Sequence, residues 1–259
     1  QALVCSVVGD DDNGDLLIRL LEKKGVDCEG LIRSADRPTT VKTRILSQGQ
    51  QILRVDEEEI HPLNPVTENL LLEHIAKSIQ EVDMVIMEDY NKGMMTKGII
   101  KGVIELCNDH KVPVSVDPKK ENFFAYTGVT LFKPNRKEII EGLKLDGALK
   151  EENEIRDAIN KLHDKLEAES IMVTLSEDGV VISDNRNFTF IPAHKRRIYD
   201  VSGAGDTVIS VASLCLASGM SKADSAAVSN IAGGLVCEKP GVVQVDKNLL
   251  LEEVEKILG

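Results

Sequence analysis

Gly203, Gly205 and Asp206 are the residues of this chain best suited to chemistry. The Gly-Ala-Gly turn breaks regular structure, and Val208, Val211, Ala212 and Cys215 then fall on one face of a helix that starts abruptly at Asp206–Thr207. A glycine turn feeding a helix aims several unpaired backbone N–H groups at one point, with the positive end of the helix dipole behind them. Such a site holds an anion. A carboxylate at its mouth can take a proton, so together they suit phosphoryl transfer to a hydroxyl. The plainer alternative is an ordinary helix start, since Asp is favoured in a first turn by the dipole alone. Two familiar phosphate motifs are absent: there is no G-x-x-x-x-G-K-[ST], and the third glycine of the dinucleotide fingerprint is missing.

Other polar residues gather where strands should end. Val82–Met87 runs into Glu88-Asp89-Tyr90-Asn91-Lys92-Gly93, and Val112–Val116 into Asp117-Pro118-Lys119-Lys120. Val129–Phe132 runs into Lys133-Pro134-Asn135-Arg136-Lys137-Glu138. Ligands of open α/β sheets bind at the carboxyl ends of strands, which makes Asp89, Asn91, Lys92 and Lys119 candidates for substrate contact. Polar loops are also the common fate of such runs.

These side chains need a scaffold, and the chain alternates strand and helix to give one. Leu3–Val8, Val26–Arg33, Val82–Met87, Val112–Val116, Val129–Phe132 and Ser170–Leu175 read as strands. Helices are expected over Asp15–Lys24, Val66–Gln80, Thr96–His110, Glu151–Ala168, Ala223–Glu238 and Asn248–Leu258. Val180–Ser183 and Asn187–Ile191 add strands after the turn Ser176–Gly179. Pro38–Asp56 breaks the alternation and reads as a β-hairpin with Gly49 in its connection at Ser47–Gln50. Lys42 and Arg44 share one face of it by the strand period of two. The expectation is one α/β domain, with a mainly parallel sheet between helices and a small hairpin lid at about residues 38–56. A basic face on that lid can meet an anionic ligand, or can simply be a solvated edge.

Composition sets limits. Asp and Glu number 43 against 31 Lys and Arg, a net charge of −12, which argues against nucleic acid and anionic membranes as partners. No apolar run reaches membrane-spanning length. The five cysteines include no C-x-x-C and read as reduced thiols of a cytoplasmic protein. The five histidines form no metal-binding cluster.

Four stretches together resemble the ribokinase-like (PfkB) carbohydrate kinases: DVSGAGDT at Asp200–Thr207, Asn135-Arg136-Lys137-Glu138 as an N-x-x-E motif, VTLSEDGV at Val173–Val180, and AAVSNIAGGLVCEKPG at Ala226–Gly241. Arg37–Glu59, EDYNKG at Glu88–Gly93, VDPKK at Val116–Lys120 and LFKPNRKE at Leu131–Glu138 are similar, within that family, to the heptose 7-phosphate kinases of lipopolysaccharide core biosynthesis. Those kinases occur alone or fused to a nucleotidyltransferase domain.

The resemblance implies a ribokinase-like three-layer α/β/α domain over residues 1–259 that uses ATP and Mg²⁺, and a monovalent cation such as K⁺. It implies that Asp206 is the base for a sugar hydroxyl and that the backbone at Gly203, Ala204 and Gly205 holds the transferred phosphoryl group. Asn135 and Glu138 would organise Mg²⁺ and the ATP phosphates, through water, with Glu138 the metal residue and Arg136 and Lys137 beside them. Thr174, Ser176 and Gly179 would lie along the nucleotide, and Asn230 near its adenine or ribose. Lys42, Arg44, Lys92 and Lys119, with Asp89 and Asn91, are the candidates for holding a sugar phosphate, and Arg54 extends the basic face. The implied reaction is phosphorylation of the C1 hydroxyl of heptose 7-phosphate, in a homodimer joined through the lid hairpin. The alternatives are a kinase for ribose, fructose or a fructose phosphate, or a non-catalytic nucleotide-binding module. The family's early strand ending in Gly-Asp and its Gly-Gly-x-x-Asn segment have no match here, so the domain is expected to lack its N-terminal segment. Ser176 and Lys120 each stand where many members have glycine.

Overall fold

The computed structural model describes residues 1–47 and 50–259; residues 48–49, which include Gly49 of the expected hairpin connection, lie outside them. Contacts divide the chain into two units, Gln1–Glu81 with Asn91–Leu106, and Val82–Tyr90 with Cys107–Gly259.

In the first unit, β1 (Ser6–Gly9) pairs in parallel with β2 (Leu31–Ser34), joined by α1 (Asp12–Lys23). α1 begins three residues before the expected start at Asp15 because Asp11 caps it. The Asp11 carboxylate accepts from Gly14 N–H at 2.7 Å and from Thr39 N–H at 2.8 Å. The expected hairpin is present as β3 (Val41–Ser47) and β4 (Gln50–Glu57), with Lys42 opposite Asp56 and Arg44 opposite Arg54. α2 (Pro65–Ser78) follows, with Pro65 at its first position and Asn64 as N-cap. α3 (Lys97–His110) starts in this unit and ends in the second.

The second unit holds a six-stranded sheet. Its strands are β5 (Val85–Glu88), β6 (Val114–Asp117), β7 (Leu131–Phe132), β8 (Ser170–Thr174), β9 (Val180–Asp184) and β10 (Asn187–Ile191), side by side in the order β10-β9-β8-β7-β6-β5. β5 to β8 are mutually parallel, and β9 and β10 fold back antiparallel. All four residues of β6 are buried, as expected of a central parallel strand. The helices are α4 (Arg136–Leu143), α5 (Glu152–Leu166), α6 (Ala204–Ala217), α7 (Lys222–Cys237) and α8 (Lys247–Leu258). α5 packs on β8, α6 on β5 and β6, and α7 on β9 and β10.

Leu131, Met172, Val180, Ile182, Val208, Ala212 and Ala226 form one buried cluster between sheet and helices. Each large aliphatic side chain there contributes about 1.5–3 kcal/mol by leaving water. The buried hydroxyls of Ser115 and Ser213, 2.5 Å apart, tie β6 to α6. The mainly parallel α/β sheet expected from the sequence is therefore present. Among the described residues, no helix is long and apolar enough to cross a membrane.

Candidate active site

The start of α6 takes its geometry from Gly203, whose φ of 78° is a left-handed value that glycine adopts at little cost. Ala204 N–H is used within the turn, donating to Val201 O at 3.2 Å, and Thr207 N–H returns to Gly203 O at 2.9 Å. The N–H groups of Gly205 and Asp206 find no acceptor among the described residues. Those amides, rather than that of Ala204, are left to face an anion. A Cβ on Gly205 would meet Lys133 Nζ at 3.6 Å and Asp117 Oδ2 at 3.7 Å, ordinary van der Waals contact, so both groups lie beneath this turn.

Strand register assembles the floor of this site. Glu88 and Asp117 are register partners at the ends of β5 and β6, and Val116 pairs with Phe132, so Lys133 follows beside Asp117. The ladder continues past the strand ends, with Asp89 N–H donating to Asp117 O at 3.1 Å and Lys133 N–H to Val116 O at 2.9 Å. One carboxylate oxygen from each of Glu88, Asp117 and Asp206 lies within 4.8 Å of the other two. Lys133 Nζ, 3.0 Å from Asp117, supplies a cation to this group from inside the protein. Burial first, and then the charges of Asp117 and Asp206, push the Glu88 carboxyl up to about 8 against the opposing effect of Lys133 and Lys119. Glu88 therefore holds its proton at neutral pH. Partial burial and the same carboxyls push the Tyr90 phenol up, so it keeps its proton near Asp206.

A chain of charges joins this floor to the N-x-x-E motif. Lys119 Nζ lies 3.3 Å from Asp117 and 2.8 Å from Glu138. Burial alone would lower its proton affinity, but those carboxylates outweigh it and hold the ammonium above its usual range. Asn135 caps α4 through Glu138 N–H at 2.9 Å, and Glu138 returns the bond to Asn135 N–H at 2.8 Å. Their side chains offer only hard oxygen donors, and carboxylate oxygens keep a spare lone pair beyond the bonds they accept. Such a set fits Mg²⁺, which retains most of its own water.

The nucleotide candidates surround the same motif. Asn135 bridges to Thr174 at the end of β8. Arg136 pairs with Asp178 at the distance of a close hydrogen bond, tying α4 to the turn that starts at Ser176, itself at φ 58°. Gly179 closes that turn at φ 95°, and a Cβ there would fall 2.1 Å from Ile191 O. Lys137 points into solvent, 3.7 Å from Glu141. Asn230 on α7 donates to Pro192 O at 3.0 Å.

The substrate candidates divide between the units. Lys119 belongs to the floor just described. Asp89 is buried and accepts from Tyr126 Oη at 2.7 Å, which makes it an anchor for the β6–β7 connection. In the first unit, Lys42 pairs with Glu58 at 2.9 Å and Asp56 at 3.3 Å, and Lys92 pairs with Glu58 as well. Arg54 pairs with Asp56 at 2.9 Å. Asn91 sits at φ 53°, and exposed Arg44 makes no ion pair among the described residues. Glu88, Asp117 and Lys133 are legible in the sequence only as polar strand ends, with no role attached. Their signal was position, the last residue of a buried strand or the next one.

The pattern of the pfkB family carbohydrate kinases matches residues 1–248. The chain is 38% identical over 255 residues to the bifunctional protein HldE of Syntrophotalea carbinolica, covering 97% of this chain and 51% of that protein. It is 36% identical over 259 residues to the bifunctional protein HldE of Helicobacter pylori, covering 100% of this chain and 55% of that one. The chain thus spans about half the length of the curated relatives it matches. Among solved structures, phosphofructokinase-2 from Escherichia coli in complex with potassium is similar at a TM-score of 0.84 and 17% identity, covering 100% of this chain and 83% of that one. A putative ribokinase from Agrobacterium tumefaciens is similar at 0.79 and 18% identity, covering 99% and 81%. Both likenesses show the ribokinase-like α/β fold.

Proposed function

The chain belongs to the pfkB family of carbohydrate kinases, and we propose that it transfers the terminal phosphoryl group of Mg·ATP to the C1 hydroxyl of heptose 7-phosphate. The observation that carries this reading is the placement of Asp206 at the head of α6, where the N–H groups of Gly205 and Asp206 find no acceptor among the described residues, above Glu88, Asp117 and Lys133. Asp206 accepts the proton of the sugar hydroxyl. The N–H groups of Gly205 and Asp206 hold the charge that develops on the phosphoryl oxygens. A carboxylate is a weak base at neutral pH, so positioning and electrostatics carry most of the rate. Glu138 and Asn135 would hold Mg²⁺ through water. The ion, when bound, neutralises phosphate charge. Thr174, Ser176, Gly179, Arg136 and Asn230 line the path proposed for the nucleotide.

The sugar's own phosphate is assigned to the charged face of the hairpin. Lys42 and Lys92 are already shared with Glu58, which leaves Arg44 as the cation best able to take it. Heptose 7-phosphate is chosen over other sugars because the chain is 36–38% identical to bifunctional HldE proteins over nearly its whole length, and because the hairpin and strand-end motifs resemble heptose kinases. The reading places the protein in the cytoplasm, where ATP is supplied, and includes a requirement for a monovalent cation such as K⁺. A coupled ADP-release assay against heptose 7-phosphate, ribose, fructose and fructose 6-phosphate tests it. Selective release with the heptose phosphate, higher in K⁺ than in Li⁺, is expected. Selective release with ribose or fructose would replace the substrate, and release with no sugar would overturn the kinase reading.

A further inference from the structure

Lys133 is 2% exposed, and among the described residues no other lysine or arginine is as deeply buried. Removing an ammonium from water is costly unless a carboxylate compensates. Its compensation is Asp117 at 3.0 Å, and its location is directly under the Gly205 backbone. Three carboxyls from β5, β6 and α6 converge at the same spot with oxygens within 4.8 Å of one another. With Glu88 protonated, the charges that repel are those of Asp117 and Asp206, and the group stays together only if something offsets them. We propose that Lys133 is a positioning residue of the phosphoryl-transfer site, the fixed countercharge that holds Glu88, Asp117 and Asp206 together beneath Gly205. Through Asp117 and Lys119 the same ammonium braces Glu138. The catalytic half of this inference rests on the kinase reading; the charge arrangement does not.

The groups facing Glu88 are Asp117 and Lys119 from the end of β6, Lys133 from the end of β7, Asp206 from α6, and Tyr90 from its own loop. Because Lys133 opposes the upward push on Glu88, the Glu88 carboxyl reports its charge without any substrate. The test uses the full chain with Lys133→Met, which keeps an unbranched apolar stem, and the double variant Lys133→Met/Asp117→Asn, which removes the pair together. Folding is checked by circular dichroism, the Glu88 side-chain carboxyl is titrated by ¹³C NMR, and ADP release gives kcat and KM.

The expected result for Lys133→Met is a Glu88 midpoint about one unit higher and a kcat about a hundredfold lower at pH 7, with the sugar-phosphate KM within about threefold. The double variant should return the midpoint to its original value and recover most of the lost kcat. An unmoved midpoint in Lys133→Met, or no recovery in the double variant, overturns the proposal. If Lys133→Met fails to fold, the double variant decides. A folded double variant with the original midpoint supports the countercharge. A double variant that also fails to fold overturns it. Absence of ADP release by the unaltered protein with every sugar would sink the kinase reading, while the Glu88 titration would still settle the role of the ammonium.

Discussion

Gly179 leaves no room for a side chain: at φ 95° a Cβ would lie 2.1 Å from Ile191 O and 2.5 Å from Ala193 N, both backbone atoms that cannot swing aside. Gly179→Ala should therefore destabilise the protein by about 1–3 kcal/mol, read as a lower midpoint in urea. An unchanged midpoint would mean that the strand–turn–strand yields more easily than its geometry implies. Local constraints of this kind are legible in a sequence. The N-x-x-E box and the Gly-Ala-Gly-Asp turn each act over a few residues, so Asn135, Glu138 and Asp206 could be picked out by spacing. Glu88, Asp117 and Lys133 could not. They are up to 45 positions apart (133 − 88) and meet because parallel strands align their ends, which no local pattern encodes.

At the scale of elements, the alternation of strands and helices was legible because buried strands and amphipathic helices have different periods. Boundaries shifted where side chains cap helix ends, as Asp11 does for α1, or where pairing stops short. β7 is only Leu131–Phe132, although the apolar run begins at Val129. The hairpin carries two faces. Thr43, Ile45, Leu53 and Val55 share one, and Lys42, Arg44, Arg54 and Asp56 the other. Since Lys42 is already paired and Arg44 makes no ion pair among the described residues, Arg44→Ala should raise the sugar-phosphate KM more than Lys42→Ala does, by about tenfold. Equal KM values for both variants and the unaltered protein would remove the hairpin from the phosphate site.

α5 is fastened to β9 by buried His163, whose Nδ1 lies 3.0 Å from Ala168 O and Nε2 2.9 Å from Ser183 Oγ. Burial holds its imidazole below the usual range, against the hydrogen bond to the Ala168 carbonyl. The unfolded chain takes up the proton first as pH falls, at about 6.5. The contribution of His163 is thus complete above that pH and declines below it. The stability advantage of the unaltered protein over His163→Gln, read in urea, should shrink between pH 7.5 and 5.5. An advantage that grows would contradict a neutral buried imidazole.

For the whole molecule, the −12 charge and the exposed apolar face of the hairpin pull in different directions. Ile45 and Leu53 are 46% and 51% exposed, which a solitary hairpin would not favour. Burying that face against a second copy is the proposed basis of a homodimer. Sedimentation at micromolar concentration should give a dimer, and Leu53→Glu a monomer; a monomeric unaltered protein would remove the dimer from the account. Phosphate is proposed to change hands at the head of α6. The most direct test is a single-turnover transfer of labelled phosphate from ATP to heptose 7-phosphate by the unaltered protein and by Asp206→Asn, with ATP affinity measured on both. Transfer should fall by at least about a hundredfold in the variant while ATP binds equally well. Undiminished transfer by Asp206→Asn would contradict the account.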